Sequence, residues 1–140
     1  AIDDQRVRNY LLPRECPRVT YYAGPRTTAA DRVAFLGDRT AVVAIEEEWL
    51  DRLRQWRVYL YEVPRDTITC IDEGAGYFVS EVPVTALRVH ACDDAIGELN
   101  RRGAHLRALP DLWPLRDAVA ASSLQFSIIR MRNARPRSAM

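Results

Sequence analysis

The chain is 140 residues long, 48% apolar and 28% charged, with a net charge of +1. That length suits one domain with a core of its own, and the composition excludes a disordered chain. The near-zero charge gives no whole-molecule attraction to nucleic acid or an acidic membrane, and the absence of lysine excludes a side-chain Schiff base and a phosphate-loop lysine.

The opening "AIDDQ" reads as a strand exit entering a helix over residues 4–12, with Asp3 or Asp4 as N-cap and Pro13 as stop. Such an opening predicts further sequence upstream, where part of a site could lie. "RVTYY", Arg18–Tyr22, is rich in β-formers and reads as a strand. "TTAADRVAFLG" predicts a helix capped by Thr27 or Thr28, with Val33 and Leu36 inward and Gly37 as terminator. "TAVVAIE", Thr40–Glu46, is a continuous apolar run of the kind a central strand shows. "EEEWLDRLRQW" predicts a helix with Trp49, Leu50, Leu53 and Trp56 on its inner face.

"RVYLYEVP" alternates Val58 and Leu60, with Glu62 in the same phase, against Tyr59, Tyr61 and Val63, and Pro64 ends that strand. "TITCID" is a second short strand and "EGAG" a turn. "GYFVS" and Val84–Ala91 are two more strands. "DDAIGELNRRG" is a short helix between an Asp93 or Asp94 cap and a Gly103 stop, and "AHLRALP" a strand. "DLWPLRDAVAA" is a helix with Asp111 at its cap and Pro114 in its first turn. From Leu124 onward the apolar spacing fits helix and strand alike. No internal repeat, low-complexity segment or linker interrupts the chain. The expected fold is a single compact α+β domain over residues 1–134, a mixed and mostly antiparallel sheet with four or five packed helices, followed by a frayed tail at 135–140.

No apolar run approaches the roughly 20 residues that span a bilayer. The cysteines Cys16, Cys70 and Cys92 are odd in number and widely spaced, which fits reduced cytoplasmic thiols rather than a disulfide framework. Cys16 lies between Glu15 and Arg18 in "LLPRECPRVTYYAG"; with no nearby histidine it reads as an inert, buried thiol, and Cys70 as core packing. His90 and Cys92 share a strand face, but zinc needs three or four ligands, so no metal site is assigned. Trp49 and Trp113 read as core.

Arginine is the main chemical resource, and it supplies all 20 basic residues. Arg14, Arg18 and Arg26 punctuate the first loop and strand, and Arg130, Arg132, Arg135 and Arg137 crowd the end. Guanidinium forks bind phosphate or carboxylate bidentately. Tyr21, Tyr22 and Tyr77 could stack on a base or ring. The leading expectation is therefore an anionic small molecule or nucleotide held through Arg14, Arg18 and Arg26 with Tyr22 and Tyr77. Glu81, at the end of the "GYFVS" strand, is the candidate general base. A third reading is an interaction module whose terminal arginines meet an acidic partner or nucleic acid.

"LLPRECPRVTYYAGPRT", "GYFVSEVPVTAL" and "LWPLRDAVAASSLQFSIIRMRNA" together resemble an uncharacterised bacterial family catalogued as a domain of unknown function. The resemblance runs over nearly the whole chain and implies no activity. A second likeness is to small ADP-ribosyltransferase-like domains. It implies NAD as cofactor, Glu81 as the catalytic glutamate and Tyr77 as a stacking ring, while the histidine strand those domains use is missing here.

Overall fold

A computed structural model describes residues 1–138. It is an α+β domain built on β1 (Arg18–Tyr22), α1 (Ala29–Asp31, continued by a wider π-helical turn over Arg32–Leu36), β2 (Ala41–Glu46), α2 (Leu50–Arg54), β3 (Val58–Glu62), β4 (Ile68–Asp72), β5 (Tyr77–Ser80), β6 (Arg88–Cys92), α3 (Ala95–Arg101), β7 (Ala104–Leu109), α4 (Trp113–Ala120) and β8 (Gln125–Ile129). The strands divide into a four-stranded sheet, β7-β2-β1-β8, and two two-stranded ribbons, β3-β6 and β4-β5. Only β2 and β7 pair in parallel; the remaining pairings are antiparallel.

β2 is buried at all its positions, because helices cover both faces of the main sheet. Ala41, Val43 and Ile45 pack with Leu11, Leu53 of α2 and Leu99 of α3. Val42 and Ala44 face the other way, onto Leu36, Leu112 and Val119 of α4. That two-sided burial is why the segment reads as an unbroken apolar run. Two caps fall where the side chains suggest: Thr28 Oγ1 accepts from Asp31 N at 3.1 Å and Asp94 Oδ1 from Gly97 N at 3.0 Å. The cap expected at Asp111 is corrected: Leu112 is the N-cap of α4, and Asp111, one residue before it, accepts from Trp113 N at 3.0 Å. Gly37 and Gly103 close their helices at φ 60° and 77°, conformations that a side chain disfavours.

Several expectations are corrected. The helix expected over residues 4–12 is one 3₁₀ turn, Val7–Tyr10. The strand exit before it is real: Ile2 bridges Tyr77, and Phe78 N donates to Ala1 O at 2.9 Å, so the first residues lie along β5. Val33 is 73% exposed, not inward, since the widened turn rotates it away from the sheet. Cys70 is exposed because the β4-β5 ribbon stands off the core. The strand expected from Val84 begins only at Arg88. The ambiguous C-terminal segment is a strand: β8 fills the free edge of β1, with Val19 opposite Ile128 and Tyr21 opposite Phe126.

Beyond residue 134, Arg135 and Arg137 make contacts with the domain. Arg135 N donates to the buried Glu46 carboxylate at 3.1 and 3.2 Å, and Trp113 Nε1 donates to Arg135 O at 2.7 Å. Arg137 grips Asp117 with both terminal nitrogens and lies 4.1 Å above the Trp113 ring. Residues 139 and 140 lie outside the described residues. Among the described residues, no helix is long and apolar enough to cross a membrane.

Candidate functional site

The two ribbons and the N-terminal segment enclose a groove of about 1500 Å³. All of β3, Val58–Glu62, borders it, with His90 of β6 opposite Leu60. From β4-β5 come Ile68, paired with Ser80, and Phe78, which share one side of that ribbon. Tyr10, from the first 3₁₀ turn, adds an aromatic edge.

Most charges in this groove are already matched. His90 Nε2 lies 3.3 Å from Glu62 Oε2, and Arg88 Nε lies 3.8 Å from the same oxygen. Arg102 bonds Asp4 at 2.8 Å and Glu98 at 2.9 Å. Arg57 pairs with Asp93 at 3.5 Å, and Asp3 with Arg6 at 2.6 Å. Arg65 alone among the charged lining residues makes no ion pair or side-chain hydrogen bond within the described residues. The arrangement therefore offers apolar walls, one uncommitted guanidinium and a histidine oriented by a carboxylate.

The residues singled out from sequence do not converge here. Arg18 is 2% exposed. Its Nε donates to Cys16 O at 3.0 Å, Nη2 to Pro13 O at 2.6 Å and Arg14 O at 3.2 Å, and Nη1 to Asn9 O. A fork occupied by four carbonyls has no free face for an anion, so Arg18 is an organiser of the 9–16 loop. Burial also pulls its pKa down from the usual arginine range. Arg14 and Arg26 are exposed but flank opposite ends of β1, so a strand of roughly 17 Å keeps them apart. Tyr22 is half-buried, with the Arg8 guanidinium 5.1 Å from its ring centre, so a stacked ligand would have to displace Arg8. Tyr77 shares a 2.6 Å hydrogen bond with Tyr10 beside a shallow apolar hollow of about 470 Å³. Burial, then that bond, pushes the Tyr10 phenol up to about 12. Glu81 is exposed on a bend and makes no polar side-chain contact within the described residues; its neighbours Ser80 and Val82 line the groove, and it does not.

His90, Glu62 and Arg65 were not selected from sequence. One signal was present, the shared phase of Leu60 and Glu62 along β3. Its partner β6 lies a full ribbon further along the chain, so the pairing with His90 has no local signature. His90 and Cys92 do share a face, yet Cys92 is buried opposite Val58, and no group of three or more metal-ligating side chains forms among the described residues.

The thiols sort by burial. Cys16 has no exposed surface, and desolvation pushes its thiol up to about 12. Cys92 is 8% exposed. Titration of the folded protein with a thiol reagent at pH 8 is expected to show one fast reaction, at Cys70, and two that wait for unfolding. Cys70→Ser should abolish the fast phase; its survival in that variant would show that the strands open far more readily than their burial implies.

A family model described as "Family of unknown function (DUF6886)" matches residues 1–134. No curated protein and no solved structure matches the chain. The family description carries no activity, and nothing in the match supports the likeness to ADP-ribosyltransferase-like domains.

Proposed function

We propose that this chain, which belongs over residues 1–134 to the family of unknown function DUF6886, is a small-molecule-binding domain whose ligand carries an anionic group and an apolar ring. The observation that carries this reading is the uncommitted Arg65 at the edge of a groove walled by Leu60, Ile68 and Phe78. Concave, mostly apolar sites with a few convergent polar groups are the usual form of ligand pockets. An unpaired guanidinium supplies the orientation-setting anion contact, and the His90–Glu62 pair supplies a second polar anchor.

Calorimetric titration of the folded protein with AMP, NAD and benzoate tests this. At least one is expected to bind. Arg65→Glu should weaken that binding by about tenfold or more, the scale of losing one charge-assisted hydrogen bond. Both Arg65 and His90 are exposed, so Arg65→Glu and His90→Ala should fold normally. Binding by none of the three probes, or equal binding by both variants and the parent, would overturn the proposal.

A further inference from the structure

A cluster of unpaired cations lies away from the groove, at the β1-β8 edge of the main sheet. β8 pairs with β1 so that Ile129 sits opposite Arg18, which brings the chain after Ile129 beside the 14–17 loop. A 3₁₀ turn, Met131–Asn133, follows. Asn133 Nδ2 donates to Glu15 O at 2.8 Å and to Glu15 Oε2 at 3.0 Å, fastening that turn to the loop. Arg14, Arg130 and Arg132 thereby surround Glu15. Their field and, first, the Asn133 hydrogen bond hold the Glu15 carboxyl below its usual range.

Two features set this cluster apart from ordinary surface arginines. None of the three guanidinium groups makes an ion pair or hydrogen bond within the described residues. Arg130 is also the one non-glycine residue with positive φ among the described residues, at φ 59° and ψ 29°. A long side chain in the left-handed region is unfavourable, and such strain concentrates where a backbone is held for a ligand. Glycine would adopt this backbone without steric strain, and an arginine stands there instead.

We propose that Arg14, Arg130 and Arg132 form a phosphate-binding site at the β1-β8 end of the main sheet, separate from the groove. Three guanidinium groups present more donors than the two oxygens of a carboxylate can accept. A phosphate or pyrophosphate group has the oxygens to engage them bidentately. The one acid in the cluster, Glu15, is engaged by Asn133, so three cations stand against a single anion.

The substitution Arg130→Gly separates binding from folding, because it removes the cation and relieves the backbone. Pyrophosphate, titrated at low salt and followed by calorimetry, is expected to bind the parent protein. Arg130→Gly should melt at the same or a higher temperature and bind pyrophosphate about tenfold more weakly or worse. Arg14→Ala should act in the same direction, and Arg65→Glu in the groove should have no effect on it. A single-stranded oligonucleotide forms the second arm. If it binds in an Arg130-dependent way with marked salt sensitivity while pyrophosphate does not, the phosphates recognised are those of a nucleic-acid strand. If neither probe binds, or if both bind Arg130→Gly and Arg14→Ala as tightly as the parent, the site does not exist.

Discussion

Arg18→Ala is expected to destabilise the fold by about 3 kcal/mol or more, measured as the shift in a denaturant-unfolding curve. The guanidinium donates to the carbonyls of Asn9, Pro13, Arg14 and Cys16. Removing it leaves several buried acceptors unpaired, each costing about 1–3 kcal/mol unless water reaches it. Leu11, Leu12 and Cys16, on the loop it organises, all belong to the core beneath the sheet, so local loosening would spread inward. Arg18→Lys should recover only part of the loss, because one ammonium cannot reproduce a planar fork. A loss under about 0.5 kcal/mol would show that Arg18 does not hold the loop, and would return it to consideration as a ligand-binding residue.

The second large effect is expected at Ile45. It has no exposed surface and lies in β2, the strand with helices over both faces. Ile45→Ala deletes side-chain volume where neither layer can collapse freely, and is expected to cost about 2–5 kcal/mol. Val33→Ala provides the contrast. Val33 is 73% exposed, and its truncation should stay within about 0.5 kcal/mol. Thermal or denaturant unfolding of both variants decides the matter; comparable losses at the two positions would contradict the placement of the core.

Much of the local architecture was legible in the chain. Arg18–Tyr22, Ala41–Glu46 and Ala104–Leu109 are strands where β-formers and apolar runs say they should be. Two helices begin at Thr28 and Asp94 because a side-chain oxygen there can take an orphan backbone N–H. The candidate site was not legible. Leu60 meets His90 within the β3-β6 ribbon, although β4 and β5 lie between those strands in the chain. Arg14 joins Arg130 and Arg132 rather than Arg18 and Arg26, because β8 pairs with β1.

What the sequence by itself determined is what depends on neighbours a few residues apart: strand alternation, caps, glycine stops and the exclusion of lysine chemistry. What only the tertiary structure decided is which side chains remain unpartnered. Arg18 and Arg65 cannot be told apart as letters. One is buried against the carbonyls of its own loop and the other stands free at a groove. A guanidinium's availability is set by which acceptors long-range packing brings within about 3 Å, and no spacing along the chain encodes that.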